Sequence, residues 1–231
     1  MGIVDNMIVF DGRTSKDFNV LLSGFDTYTA PERDVERVSV PGRNGDVVID
    51  NGRYENVDVT YKCLLLRHLE TDYSEFIAWL MSGAGYKRLE DTFHPDEFRM
   101  ASFKGSVKPK LYDYENASFS ITFNCKPQRW LKSGEDVTTL IDGGTIINET
   151  SYTAKPLIRA YSAGTLTVNG QSLTISSVDG YVDIDSERLN AYKGSTNKNS
   201  TVSGVFPTFV AGENVITYTG RLEITPRWWR L

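Results

Sequence analysis

The chain has 231 residues, with 25 Lys and Arg against 30 Asp and Glu for a net charge of −5. That balance argues against a partner gripped through nucleic-acid phosphates, and 19 Gly with 8 Pro excludes collagen-like or proline-rich disorder. The excess lies in 12 Tyr, 11 Phe and 4 Trp, which with a sparse helical signal points to a mainly β protein carrying one helix.

The start, Met1 to Asn6, lacks the basic and apolar regions of a signal peptide, and Asn6 stands where a myristoylation signal needs Ser or Thr. No apolar run approaches a membrane span, so the expectation is a soluble cytoplasmic product. Residues 34–66 read as strands punctuated by Pro41-Gly42, Asn44-Gly45 and Asn51-Gly52, dipeptides suited to tight turns. Val57, Val59, Tyr61, Cys63 and Leu65 then alternate with Asp58, Thr60, Lys62 and Leu64, a strand with one buried face.

Tyr73, Phe76, Ile77, Leu80 and Met81 fall at helical spacing, with Asp72 to cap the start and Gly83 to take the left-handed stop. Beyond a loop at 90–97, strands are expected at 98–107 and 117–125. The polar stretch Leu131 to Asp136 and the pair Gly143-Gly144 read as flexible, which places a domain boundary between residues 132 and 133. After it come short Thr- and Ser-rich strands: a hairpin turning at Asn169-Gly170, strands at 181–185 and 214–218, and a polar loop at 193–204. The end alternates Leu222, Ile224, Pro226 and Trp228 with polar residues, and the whole segment reads as a small β-sandwich.

The sequence has no phosphate-binding loop, dinucleotide-binding glycines, nucleophile elbow or zinc-protease motif. Its only imidazoles are His68 and His94. With Cys63 and Cys125 they make no close-paired zinc motif, and the two thiols are expected to be packed and reduced. No cofactor is expected, and a glycoside hydrolase resting on an acidic pair is the weakest reading. The aromatics Tyr161, Tyr181, Tyr192, Tyr218, Trp228 and Trp229 raise stacking on sugar instead. Neighbours on a strand point oppositely, so at most one of Trp228 and Trp229 can face a core.

Several stretches resemble the distal tail protein (Dit) family of siphophages infecting Gram-positive bacteria. They are Val40-Pro41-Gly42-Arg43-Asn44-Gly45-Asp46, Ile49 to Asn56, Arg88 to Asp96, Cys125-Lys126-Pro127-Gln128-Arg129-Trp130-Leu131, Lys155 to Ile158, Val182 to Glu187 and Pro226-Arg227-Trp228-Trp229. The resemblance implies an N-terminal β-sandwich (1–132) with a helix and an extended hairpin belt, and a C-terminal galectin-like β-sandwich (133–231). It further implies a virion structural protein rather than an enzyme, six copies of which form a ring. The ring would join the tail tube protein to the tail-associated lysin or fibre and to receptor-binding proteins, and would leave a channel for DNA. It implies neither sequence-specific nucleic-acid binding nor membrane insertion. On that reading Arg43, Tyr54, Val57, Val59 and Tyr61 serve the ring interface, while Trp130, Trp228 and Trp229 serve partner contacts or packing. The alternative is a carbohydrate-binding module directed at cell-wall polysaccharide.

Overall fold

The computed structural model describes residues 6–26 and 28–231, so the leader reading of Met1 to Asn6 lies almost wholly outside the described residues. The chain divides into two compact units, one of residues 1–129 with Leu231 and one of residues 130–230. Among the described residues no helix is long and apolar enough to cross a membrane.

The strands of the first unit are β1 (Ile8–Phe10), β2 (Arg13–Thr14), β3 (Val20–Asp26), β4 (Arg33–Val38), β5 (Val47–Tyr54), β6 (Val57–Leu65), β7 (Lys87–Asp91), β8 (Glu97–Phe103), β9 (Lys110–Leu111) and β10 (Ala117–Cys125). Eight of them form one antiparallel sheet in the order β2-β1-β7-β8-β10-β6-β3, with β9 added on β10. The alternation read at residues 57–65 is β6, whose odd-numbered residues are all buried.

The sheet curls over on itself. Strands β1 and β10 stand three positions apart, which in a flat sheet separates them by about 14 Å. Yet the rings of Phe10 and Phe123 lie 5.0 Å apart. One folded sheet therefore supplies both layers of the expected N-terminal sandwich.

Helix α1 (Leu69–Leu80) closes the open side. Phe76, Trp79 and Leu80 are buried, and Trp79 stacks on Phe18 at 5.1 Å. The helix starts a turn earlier than the expected Asp72 cap, at His68, whose φ of 50° ends the preceding strand instead of extending it. Trp79 takes the core position expected of Met81, which is exposed. The left-handed residue after the helix is Gly85 (φ 91°), not Gly83. The loop expected at 90–97 is narrowed to a turn between β7 and β8.

Strand β11 (Arg129–Leu131) straddles the division. The second unit holds β12 (Thr138–Ile141), β13 (Gly144–Asn148), β14 (Leu157–Ala160), β15 (Gly164–Val168), β16 (Gln171–Ile175), β17 (Val182–Asp185), β18 (Asn190–Lys193), β19 (Thr196–Asn197), β20 (Val202–Gly204), β21 (Gly212–Thr217), β22 (Arg221–Thr225) and β23 (Trp229–Arg230). Two sheets, β12-β22-β14-β17-β18-β19 and β13-β21-β15-β16-β20, pack over a shared core that includes Leu166, Ile216, Ile158 and Ile224. This is a β-sandwich.

Asn169 and Gly170, both at positive φ, turn β15 into β16 as a type I′ pair would. The polar stretch 193–204 holds β19 and β20 rather than a free loop. The segment 131–136 is likewise no linker. The Leu131 amide donates to the Trp228 carbonyl at 2.9 Å, and the Arg227 amide donates to Gly134 at 2.7 Å. Gly134 is required there, because a Cβ would sit 2.3 Å from the Trp228 nitrogen.

Candidate assembly interface

Strands β4 and β5 form a two-stranded sheet of their own, paired Arg33↔Tyr54, Val35↔Asp50, Glu36↔Ile49, Arg37↔Val48 and Val38↔Val47. This hairpin arm turns through Val40-Pro41-Gly42-Arg43. The Arg43 amide donates to Val40 at 3.1 Å, and Gly42 at φ 80° fills the position that a type II turn reserves for glycine. Asn51-Gly52, expected as a second turn, lies inside β5. There Gly52 at φ 70° donates to the Asp50 side chain, close to a register shift between Arg33 and Val35, so the dipeptide makes a bulge that twists the arm.

Charged pairs brace the base of the arm. Arg33 donates to Asp50 at 2.7 Å and to the Tyr54 hydroxyl at 3.1 Å, and its guanidinium lies over the Tyr54 ring. Asp34 accepts from Asn51 and Arg53, which hold its carboxyl below the usual range. The Gly52 amide and Arg33 do the same for Asp50.

Both faces of the arm carry exposed apolar residues interleaved with charged ones. Pairing places Val38, Val47, Glu36 and Ile49 on one face and Val35, Val48, Arg37 and Asp50 on the other. Val48 is 58 % exposed and Ile49 47 %. The two outer strand edges have no further strand beside them among the described residues.

The residues expected at a ring interface thus divide. Arg43 lies exposed at the tip of the arm, and Tyr54 is half-buried at its base. Val57, Val59 and Tyr61 do not belong to that surface: they are 3 %, 0 % and 1 % exposed in the core of the first unit. Strand β6, which carries them, is bonded on both edges, by β10 and β3. The period-of-two pattern that marked this strand is the signature of a core face, and a core face cannot also meet a neighbour. Apolar residues in the unalternating run Val47-Val48-Ile49 were the better sign of an exposed ribbon.

In the second unit Trp228 faces the core, 5.8 Å from Phe209, while Trp229 stacks on Tyr152 at 4.5 Å and donates to the Thr153 carbonyl. Trp130, the first residue of that unit, is half-buried with a buried indole N–H. The aromatics raised for sugar stacking are engaged locally. Tyr218 is buried, Tyr161 donates to Glu223 at 2.9 Å beneath Arg221, and the Tyr181 ring has both Arg159 and Lys193 over it. Tyr192 is half-buried, with its backbone paired to Asp183.

Among the described residues no group of three or more His, Cys, Asp and Glu is placed to hold a metal. Cys63 and Cys125 are buried, and burial pushes each thiol up to about 12. His94 sits in the β7–β8 turn, where its amide donates to Asp91 at 2.8 Å and its Nδ1 lies 3.0 Å from the same carboxylate.

No family model matches the chain, and no curated protein matches it. Among solved structures it is similar to the SPP1 Dit protein, described as a paradigm of the hub adsorption apparatus in phages infecting Gram-positive bacteria. The TM-score is 0.78 at 10 % identity, over 98 % of this chain and 99 % of that one. The chain therefore has the Dit fold.

Proposed function

We propose that the chain is a structural hub protein of a phage tail tip, six copies of which close into a ring. The ring joins the tail tube to the tail-associated lysin or fibre and to receptor-binding proteins, and its channel passes DNA. The observation that carries this reading is the likeness in fold to SPP1 Dit over both units.

The arm supplies independent support. A lone two-stranded hairpin is marginal in water, and an exposed apolar edge invites another chain. This arm has apolar residues on both faces and two open edges. A ring built from head-to-tail contacts covers every such arm without leaving one over. The −5 net charge suits walls past which DNA slides without being held. The working place of the protein is then the virion tail tip, and its role is mechanical, with no catalytic step.

Negative-stain imaging of the purified protein, alone and mixed with the tail tube protein of the same phage, tests the reading. Six-fold rings that cap the tube ends are expected. Tubes left uncapped at saturating protein overturn it.

A further inference from the structure

The chain contains three Asn-Gly pairs, Asn44-Gly45, Asn51-Gly52 and Asn169-Gly170. Such a pair carries a reaction of its own. The glycine amide nitrogen can attack the carbonyl carbon of the asparagine side chain, because no Cβ on the glycine hinders the approach. A five-membered imide closes, the side-chain nitrogen leaves as ammonia, and water then opens the ring. Opening at one carbonyl gives Asp, and at the other isoAsp, whose main chain runs through the former side chain. Water is the sole co-reactant, and nothing is oxidised or reduced. The fold decides which pairs react, since the attack needs the glycine N–H and the asparagine amide both free to turn together.

Two of the three pairs are held. Asn51 lies inside β5, its side chain donates to Asp34 at 2.9 Å, and the Gly52 amide donates to the Asp50 carboxylate at 2.8 Å. The last bond occupies the very N–H that would attack. The Asn169 side chain is fixed at both ends, donating to Asn214 at 2.8 Å and accepting from the Val215 amide at 2.9 Å. Its backbone amide donates to the Val215 carbonyl at 3.0 Å. Closing either imide first breaks bonds of the fold.

Asn44-Gly45 is placed differently. Pairing of the arm's strands ends at Val38↔Val47, so both residues lie in the loop beyond it. Both are exposed, and neither the Asn44 side chain nor the Gly45 N–H has a hydrogen-bond partner among the described residues. The Arg43 amide bond to Val40 fixes the turn just before the pair and leaves the pair itself unheld. Space is open as well, since a Cβ on Gly45 would meet no atom within 4 Å.

We propose that Asn44 is a site of spontaneous deamidation in the native protein, while the fold protects the same dipeptide at 51 and 169. The product sets a new carboxylate between Arg43 and Asp46 at the tip of the arm, and isoAsp lengthens the main chain there by a methylene. This stands on the geometry of the three pairs and is independent of the ring reading.

The test is incubation of the full natural chain in mildly alkaline buffer, which favours loss of the glycine amide proton, followed by peptide mass mapping. Labelling with an isoaspartyl methyltransferase identifies the isoAsp product. Asn44 is expected to convert at least about tenfold faster than Asn51 and Asn169, the factor that two ordinary hydrogen bonds impose. In denaturant the three rates are expected to converge, because the dipeptide is the same and only the fold distinguishes its copies. Asn44→Gln, whose side chain is too long for the five-membered ring, is expected to remove the fast phase and leave the melting temperature unchanged. Comparable rates at all three sites in the native chain overturn the proposal, as does an Asn44 that converts only in denaturant.

Discussion

The hydroxyl of Tyr61 on β6 donates to the carboxylate of Asp91 on β7 at 2.7 Å, joining strands that stand three positions apart in the sheet. The bond exists only because the sheet folds over. Asp91 also accepts from the Phe93 and His94 amides, so one carboxylate fixes both the curl and the β7–β8 turn. Burial, then the adjacent negative charge, raise the Tyr61 phenol well above its ordinary value, so it stays a donor.

Tyr61→Phe keeps the ring in place and removes that donor. The expected loss is about 1–3 kcal/mol, the size of a buried hydrogen bond to a charged partner. Denaturant unfolding followed in the first unit checks it, and an unchanged midpoint would contradict the bond's role.

Val59 and Ile49 separate the core from the exposed arm. Val59→Lys places an unpaired charge in a full core and is expected to cost more than about 4 kcal/mol, unfolding the first unit. Ile49→Lys lies on the exposed arm and is expected to change stability by less than about 0.5 kcal/mol while weakening self-association. Thermal melts and mass measurements on the two variants distinguish these outcomes.

That contrast also marks what the sequence could and could not carry. The alternation at 57–65, the strand at 117–125 and the Asn169-Gly170 hairpin were legible because periodicity and turn chemistry act locally. The curl of the sheet was not, since it depends on Phe10 meeting Phe123 more than a hundred residues later. Gly134 read as a linker glycine, yet its smallness serves the distant Trp228 backbone. The arm's position in the chain was legible. Its limits were not, because β6 follows it directly and carries the stronger apolar pattern.

Cys63 and Cys125 are expected to resist thiol reagents in the native state. With burial raising both to about 12, almost no thiolate exists at pH 8. Labelling followed by mass analysis is expected to find both unmodified until denaturant is added. Rapid native labelling of either would place it at the surface.

The second unit is expected to weaken in acid. Burial works against the charge of Asp185, but Arg227 donates to it at 2.6 and 3.1 Å, and the carboxyl is held below its ordinary value. A depressed value means the pair stabilises the fold above the unfolded carboxylate value of about 3.9, and that this is lost as pH falls through the lower folded value. Hydrogen exchange at 182–185 is expected to accelerate below about pH 4. In Arg227→Gln it is expected to be faster at neutral pH and less sensitive to acid. Identical profiles for the two proteins would remove the pair from the account of acid stability.

Light scattering of the natural chain across micromolar concentrations tests the proposed closed ring of six copies most directly. The expected mass is six times the 25.9 kDa of one chain, and a single-chain mass at every concentration would contradict it.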